Sequence, residues 1–266
     1  MPESESGLDF RRGMIDRRLA NTRRVLLVMS GKGGVGKSVV SAALAGIAAS
    51  SGLRVGLMDA DIYGPSSALL FGAKGFPTEG ESGLIPPVLD GVKVMSVDLF
   101  ASGRPIPLAG SGANEILLEL LALTDWGNLD CLVVDLPPAT GDIMLTLTSL
   151  RKDDVGAVVV TMPDRLSISV AHRVLELLRG GSVTNVGVLG NMIHGSAKDK
   201  ETGPRRLAEE FGVPLLGLLP YDPSVSDAVE KGNIEALLRT KFARSLRRSM
   251  ATYLRGARKS APRAVG

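Results

Sequence analysis

The sequence contains a single cysteine, Cys131, among its 266 residues. One thiol excludes an internal disulfide framework and a metal site made only of cysteines from one chain. The sequence also lacks an apolar run of 18 residues that could span a bilayer, and its charged start, MPESESGLDFRRGMIDRR, lacks the apolar segment of a secretory signal. We therefore expect a cytoplasmic protein without a membrane span.

Aromatic residues are scarce at 4% of the chain, although apolar residues in total reach 44%. An interior built mainly of Ala, Val, Leu and Gly favours helices packed closely on a sheet over a β-sandwich. Acidic residues are absent after Glu235, where nine Lys or Arg remain. We interpret this basic end as a solvated helix face followed by a tail, and we expect no nucleic-acid partner.

Short apolar runs alternate with longer segments of helical spacing along most of the chain. The runs are almost continuously apolar, which is typical of parallel strands covered on both faces. The pattern predicts an α/β fold with a doubly wound, mostly parallel sheet of about seven strands and helices on both faces. The runs cover residues 24–30, 54–60, 92–99, 130–136, 155–162, 184–191 and 214–220.

Two segments stand apart from this alternation. Residues 61–91 are rich in Gly, Pro and Ser and too long for a plain connection, which is typical of a functional loop or a partly disordered segment. Near the end, Leu238, Phe242, Leu246 and Met250 recur at helical spacing and predict one helix with an apolar face.

A phosphate-binding motif follows the first predicted strand and precedes a predicted helix. The string GKGGVGKS at 31–38 fits the pattern G-x-x-x-x-G-K-[ST], in which backbone N–H groups surround the phosphates of a nucleotide. Lys37 is expected to contact the β- and γ-phosphates, and the Ser38 hydroxyl to ligate Mg²⁺. The predicted nucleotide-binding residues of this loop are Gly31, Lys32, Gly33, Gly34, Val35, Gly36, Lys37, Ser38 and Val39.

Three aspartates follow predicted strands and are candidates for the magnesium site. Asp135 ends the fourth strand, where a second ligand group for hydrated Mg²⁺ is needed. Asp59 and Asp61 are two residues apart at the end of the second strand, so both carboxylates can face the same crevice. We assign Asp59 to the water shell of the metal and Asp61 to orienting the attacking water. The alternative for either residue is that it caps the turn before Gly64.

Lys32, the aspartate pair and the string DLPPATGD at 135–142 together resemble the deviant Walker A class of P-loop ATPases. That class contains MinD, ParA, the nitrogenase iron protein and the Mrp family of iron–sulfur cluster carrier ATPases. The string MDADIYGPS, followed by DLPPATGD, is most similar to the Mrp family. The resemblance runs from about residue 23 to residue 235. It implies a charged extension at 1–22, an ATPase domain at 23–235, and a basic helix and tail at 236–266.

The resemblance also implies ATP and Mg²⁺ as cofactors and a homodimer as the active form. In this class the extra lysine, here Lys32, reaches the nucleotide of the other subunit and stabilises charge on the γ-phosphate, as an arginine finger does. The implied catalytic residues are therefore Lys32, Lys37 and Asp61. Asn191 is expected to contact the adenine, and the base pocket is expected to include Pro220, Tyr221 and Asp222.

The chain departs from the family pattern in three ways. A C-x-x-C pair, from which two chains hold one bridging cluster, usually follows the Asn-Met position, but here the segment reads NMIHGSAKDKETG. Cys131 lies in a predicted buried strand and His194 in a predicted loop, so neither is expected to replace those ligands. Val39 stands where the family has a threonine that contacts the α-phosphate, and Ala139 where the family has a glycine.

The sequence predicts a Mg-dependent ATPase of the Mrp type, a dimeric switch with slow hydrolysis that acts in iron–sulfur cluster assembly or transfer. Its expected partners are a second copy of the chain and an iron–sulfur apoprotein or assembly protein. Because the cysteine ligands are missing, a regulatory or partner-dependent paralogue is one alternative. Another is a MinD/ParA-like positioning ATPase that binds a membrane or nucleoid surface, and a third is a nucleotide-switched scaffold.

Overall fold

A computed structural model describes residues 3–62, 64–73, 76–101, 112–138, 147, 155–179, 183, 185–195 and 202–254. Each of the seven predicted runs forms a strand. The strands are β1 (Val25–Met29), β2 (Val55–Asp59), β3 (Thr78–Gly80), β4 (Gly83–Ile85), β5 (Val88–Leu89), β6 (Val92–Met95), β7 (Cys131–Asp135), β8 (Val155–Thr161), β9 (Asn185–Ile193) and β10 (Leu215–Pro220). The helices are α1 (Glu3–Leu19), α2 (Lys37–Ser50), α3 (Ser67–Leu70), α4 (Asp98–Ala101), α5 (Gly112–Leu123), α6 (Arg165–Arg179), α7 (Thr202–Phe211), α8 (Ser224–Glu230), α9 (Ile234–Arg239) and α10 (Lys241–Ser249).

Within the described residues, the main sheet has eight strands in the order β10-β9-β8-β1-β7-β2-β6-β5. All neighbours are parallel except β5 and β6, which are antiparallel. The α/β prediction with a mostly parallel sheet is therefore confirmed. The order of strands places β1 and β7 side by side, so that the ends of both strands meet at the same edge as the phosphate-binding loop.

The segment 61–91 is more structured than the sequence indicated. It contains α3, the antiparallel pair β3 and β4, and the edge strand β5. The prediction of a loop for these elements was wrong, because strands of two or three residues are set by their pairing and leave no periodic pattern in the sequence.

Both faces of the sheet are covered, as the apolar runs predicted. Alternate residues of β1 point to opposite sides: Leu26 and Val28 pack in one apolar cluster, and Val25 and Leu27 in another. The first cluster includes residues of α2, α3, α8, α9 and α10, and the second includes residues of α1, α5, α6 and α7.

The N-terminal segment expected as a charged extension contains α1. Ile15 and Leu19 of this helix are buried against the residues of α5, and the Nε atom of Arg18 donates to the carbonyl of Ala122 at 3.0 Å. The sequence indicates this helix only weakly, because its apolar residues are few and widely spaced among charges.

The C-terminal segment forms two helices, where the sequence predicted one. The helices α9 and α10 meet at Thr240, whose side chain accepts a hydrogen bond from the backbone N–H of Ala243 and so caps α10. Phe242, Leu246 and Met250 are buried in the same cluster as α2. Among the described residues, no helix is long and apolar enough to cross a membrane.

Candidate nucleotide-binding site

The phosphate-binding loop joins the end of β1 to the start of α2, as the motif requires. Gly36 adopts a left-handed conformation with φ of 81°, and a Cβ atom there would lie 2.5 Å from Nδ2 of Asn191. A Cβ atom on Gly31 would lie 2.5 Å from the backbone oxygen of Val170 in α6. Gly36 is therefore required by its left-handed backbone and Gly31 by the close approach of the α6 backbone, and the loop lies between β9 and α6.

Lys37 and Asp135 form a buried ion pair beside this loop. The Nζ atom of Lys37 lies 2.6 Å from Oδ1 of Asp135 and 3.4 Å from the Ser38 hydroxyl. Oδ1 of Asp135 also accepts a hydrogen bond of 2.8 Å from the hydroxyl of Ser41. Oδ2 of Asp135 is buried and has no hydrogen-bond partner within the described ranges. This buried carboxylate oxygen has no donor among those residues, and the Ser38 hydroxyl lies beside the same lysine. Such an oxygen and such a hydroxyl fit a hydrated Mg²⁺ ion.

Asp59 is a second fully buried carboxylate, aligned with Asp135 on the neighbouring strand. Its oxygens accept hydrogen bonds from the backbone N–H groups of Asp61 at 3.1 Å, and of Ser66 and Ser67 at 2.8 Å each. Burial raises the pKa of Asp59 to about 6, and the nearby charge of Asp135 adds to this rise. Asp59 thus holds the start of α3 against the end of β2. Its assignment to the water shell of the metal stays a prediction.

Lys32 and Asp61 lie on the outer part of the site. The Asp61 carboxylate accepts a hydrogen bond of 3.1 Å from the backbone N–H of Gly64, which matches the alternative of a turn cap. Lys32 as a residue is half-buried, and it makes no ion pair with any residue that the structure describes. The pKa of Asp164 is lowered, mainly because its carboxylate accepts hydrogen bonds from Ser167. The nearby charge of Lys32 adds to this effect.

A cavity next to the loop is lined by all the residues predicted for the base pocket. The amide Nδ2 of Asn191 donates to the Val35 carbonyl at 2.8 Å, which ties the end of β9 to the loop. Met192 has a φ of 55°, a left-handed value unusual for a residue with a side chain. The cavity is lined by Gly36, Val39, Asn191, Met192, Pro220, Tyr221, Asp222, Val225, Ser226 and Phe242.

Asp222 has a role that the sequence did not indicate. One oxygen of its carboxylate accepts hydrogen bonds from the backbone N–H and the hydroxyl of Ser224, at 3.2 and 2.6 Å. The other accepts from the backbone N–H of Lys241 at 2.7 Å. The carboxylate therefore joins the start of α8 to the start of α10, beside the cavity.

Sequence reasoning missed two side-chain contacts near this site. Ser41 is fully buried and contacts Asp135; it lies four residues after Lys37, one helical turn along the same face, and this spacing could have revealed it. His194, interpreted as a loop residue, stacks on Tyr221 with ring centroids 4.3 Å apart and planes inclined by 26°. No sequence pattern indicated that contact.

The only thiol is unsuited to holding a metal cluster. Cys131 is buried at the start of β7, and burial raises its pKa to about 12, so the thiolate that binds iron is strongly disfavoured. The described residues contain no group of three or more His, Cys, Asp or Glu that could hold a metal ion. The prediction that Cys131 is a packing residue is confirmed by its burial.

Comparison with known proteins places this site in a family. The model of the ParA group described as "NUBPL iron-transfer P-loop NTPase" matches residues 21–253. The chain belongs to this family. The resemblance to the Mrp carriers is confirmed by relatives named "iron-sulfur cluster carrier protein".

Three such relatives illustrate the similarity of this NUBPL-type chain to the carriers. The protein from Pseudomonas fragi is 37% identical over 231 residues, which are 82% of this chain and 80% of that protein. The Rickettsia typhi protein is 35% identical over 79% of this chain, and the Aquifex aeolicus protein is 36% identical over 81%. The chain spans less than two thirds of the length of the last two, 65% and 62% respectively.

Solved structures support the same fold. A nucleotide-binding protein from Archaeoglobus fulgidus in complex with ADP has a TM-score of 0.71 and 32% identity, over 84% of this chain and 92% of that one. MinD in the MinC:MinD cell division complex of Aquifex aeolicus has a TM-score of 0.64 and 21% identity, over 90% of this chain and 97% of that one. The second similarity is one of fold alone.

Proposed function

We propose that this NUBPL-type P-loop NTPase binds Mg-ATP and hydrolyses it slowly as a homodimer, as a switch in iron–sulfur protein assembly. The observation that carries the proposal is the buried pair of Lys37 and Asp135 between the phosphate-binding loop and β7. A lysine, a serine hydroxyl and a partly unpartnered carboxylate at this point are the groups that phosphate and Mg²⁺ require. The ADP complex of the Archaeoglobus fulgidus relative supports a nucleotide ligand.

Each part of the site has a separate role in this proposal. Backbone N–H groups of the loop and the start of α2 bind phosphate oxygens. Lys37 would exchange Asp135 for the β- and γ-phosphates, and Ser38, Asp135 and Asp59 would hold hydrated Mg²⁺. When bound, Mg²⁺ neutralises charge that develops on the phosphates. Asp61 orients the water that attacks the γ-phosphorus.

The homodimer is proposed from Lys32. This lysine is part of the loop and forms no ion pair in the described part of the chain, although Asp164 lies near enough to interact with its charge. In a two-fold dimer its ammonium would contact the nucleotide of the other subunit, so that hydrolysis depends on dimer formation. A cation supplied in this way raises phosphoryl-transfer rates by about 10³ to 10⁵ in the best cases.

The link to iron–sulfur assembly rests on the family and on the names of its relatives. The cluster is cargo in this proposal, and Cys131 does not fit as its ligand, because the thiol is buried with a raised pKa. We therefore propose that the chain acts on a partner protein that supplies the thiolates. This is the partner-dependent form of the Mrp function.

The alternative of a membrane-binding positioning ATPase is less favoured. It requires an apolar helix face that can enter a bilayer. In α10 the apolar residues Phe242 and Leu246, with Met250 after it, are buried in the core of the domain. Only the basic side of this helix faces solvent.

The test is ATP binding and hydrolysis by the purified protein with and without Mg²⁺. We expect slow, Mg-dependent release of phosphate from the wild type, and loss of ATP binding by Lys37→Ala. Lys231→Ala, which removes an exposed lysine outside the site, is the matched control and should behave as the wild type. A wild-type protein that does not bind ATP would contradict the proposal.

A further inference from the structure

Ser41 is a buried hydroxyl that the proposed ATPase function does not use. Its side chain is fully buried in α2, one helical turn after Lys37. The Oγ atom lies 2.8 Å from Oδ1 of Asp135 and 3.1 Å from the backbone oxygen of Lys37. A serine hydroxyl has one hydrogen to donate, so these two acceptors compete for it.

The competition is decided by charge. A carboxylate is the stronger acceptor, because hydrogen bonds to ionised groups are shorter and stronger than bonds to neutral carbonyls. The shorter of the two distances is also the one to Asp135. The Ser41 hydroxyl therefore donates to Asp135, although a serine inside a helix usually bonds to the carbonyl four residues earlier.

The bond becomes more important when Lys37 binds phosphate. Within the described residues Oδ1 of Asp135 has two donors, Lys37 and Ser41, and Oδ2 has none. Once the Lys37 ammonium has moved to the nucleotide, Ser41 is the donor that remains on the carboxylate among the described residues. A buried carboxylate with no fixed donor can rotate away from the orientation that the metal shell needs.

We propose that Ser41 is the positioning residue of the magnesium site, holding Oδ1 of Asp135 so that Oδ2 can accept hydrogen bonds from water bound to Mg²⁺. The inference rests on the proposed function, since it assumes that Asp135 serves Mg-nucleotide. Ser41 thereby has a role distinct from that proposed for Ser38, whose hydroxyl would ligate the metal itself. Ser41 would affect the metal site only by fixing the orientation of the Asp135 carboxylate.

The test measures how much Mg²⁺ strengthens ATP binding. The affinity of a fluorescent ATP analogue is determined in EDTA and in excess Mg²⁺ for the wild type and for Ser41→Ala. We expect equal affinity in EDTA, and a gain on adding Mg²⁺ that is smaller in Ser41→Ala by a factor of about 10 to 100, the value of one hydrogen bond to a charged group. Thermal unfolding without nucleotide should change little, because Lys37 still holds Asp135.

Ser50→Ala is the matched control. Ser50 lies in the same helix and its hydroxyl donates to the carbonyl four residues earlier, Gly46, at 2.6 Å, but it does not contact a carboxylate. It should keep the full gain with Mg²⁺. A full gain in Ser41→Ala would overturn the inference, as would a loss of affinity in EDTA, which would make Ser41 a support of the loop. A wild type that binds no ATP would overturn the proposed function as well.

Discussion

The Nζ atom of Lys37 lies 2.6 Å from Oδ1 of Asp135, and both side chains are buried. In the proposed function each group has another partner, phosphate for Lys37 and the magnesium shell for Asp135. Their pairing keeps two buried charges compensated, which matters because an isolated buried charge is costly. Lys37 and Asp135 therefore stabilise each other in the site, and in the proposed function nucleotide binding would separate them.

Removing one member of this pair should destabilise the fold. Lys37→Met leaves Asp135 buried without its cation, and we expect a loss of about 3–5 kcal/mol in the free energy of unfolding. The double variant with Asp135→Asn should recover part of this loss, because the uncompensated charge is then gone. Urea denaturation of the three proteins without nucleotide measures the difference. Equal stability of the single and double variants would show that the pair is not the cause.

Asp61→Ala is expected to separate binding from chemistry. The proposed role of Asp61 is to orient the attacking water, so its loss should leave ATP affinity near that of the wild type and abolish hydrolysis. The alternative role is structural, because its carboxylate caps a turn at Gly64. Asp61→Asn retains an oxygen that can accept that bond, so it should keep the turn but not the activity. Unchanged hydrolysis in Asp61→Ala would show that Asp61 does not orient the attacking water.

Lys32 offers a test of the dimer. Lys32→Ala should bind ATP but hydrolyse it poorly, because its proposed target is on the other subunit. When it is mixed with Asp61→Ala, one site of a mixed dimer has both residues and the other has neither, so part of the activity should return. The phosphate release rate is measured across mixing ratios. Activity that stays at the level of the separate variants at every ratio would argue against a shared site.

The sequence predicted the core strands and the loop residues because their patterns are local. Near-continuous apolar runs, such as the one that forms β1, and a glycine-rich motif leave little freedom in how the chain is arranged. The predicted base-pocket residues from Asn191 and from the segment at Pro220 do line one cavity with Gly36.

What the sequence could not predict depends on contacts between distant residues. The bond from Asn191 to Val35 joins positions 156 residues apart, and the pairing of Lys37 with Asp135 joins positions 98 apart. Strand β5 is defined by pairing with β6 and not by its own two residues. Burial of α1 likewise depends on α5, whose surface accepts Ile15 and Leu19.

An ion pair at the opposite end of the sheet predicts a response to pH. Two nitrogen atoms of the Arg54 guanidinium lie 2.9 and 3.0 Å from the Asp130 carboxylate. These hydrogen bonds are the main cause of the lowered pKa of Asp130. The folded chain therefore binds this proton less tightly than the unfolded chain. The pair stabilises the fold above the ordinary carboxyl pKa of about 4, and that contribution is lost as the pH falls through the lowered pKa.

Arg54→Met should accordingly lower the melting temperature at pH 7. The difference in melting temperature from the wild type should become smaller as the pH falls from about 4 to about 3. Arg239→Met is the matched control. Arg239 pairs with Glu235 at 3.4 Å on the exposed surface, where an ion pair contributes little. Thermal unfolding at several pH values provides the comparison. Curves for Arg54→Met and the wild type that remain parallel down to pH 3 would contradict the prediction.

The purified protein should not bind an iron–sulfur cluster by itself. A bridging cluster is normally held by four thiolates, whereas two chains offer only two Cys131 sulfurs, both in β7 and both with raised pKa. After anaerobic reconstitution with iron and sulfide, we expect a colourless protein with far less than one cluster per dimer. Cys131→Ser should give the same result and still form the ATP-dependent dimer, because Lys32 and the aspartates carry no thiol. Stoichiometric uptake that survives Cys131→Ser would mean that other ligands complete the site.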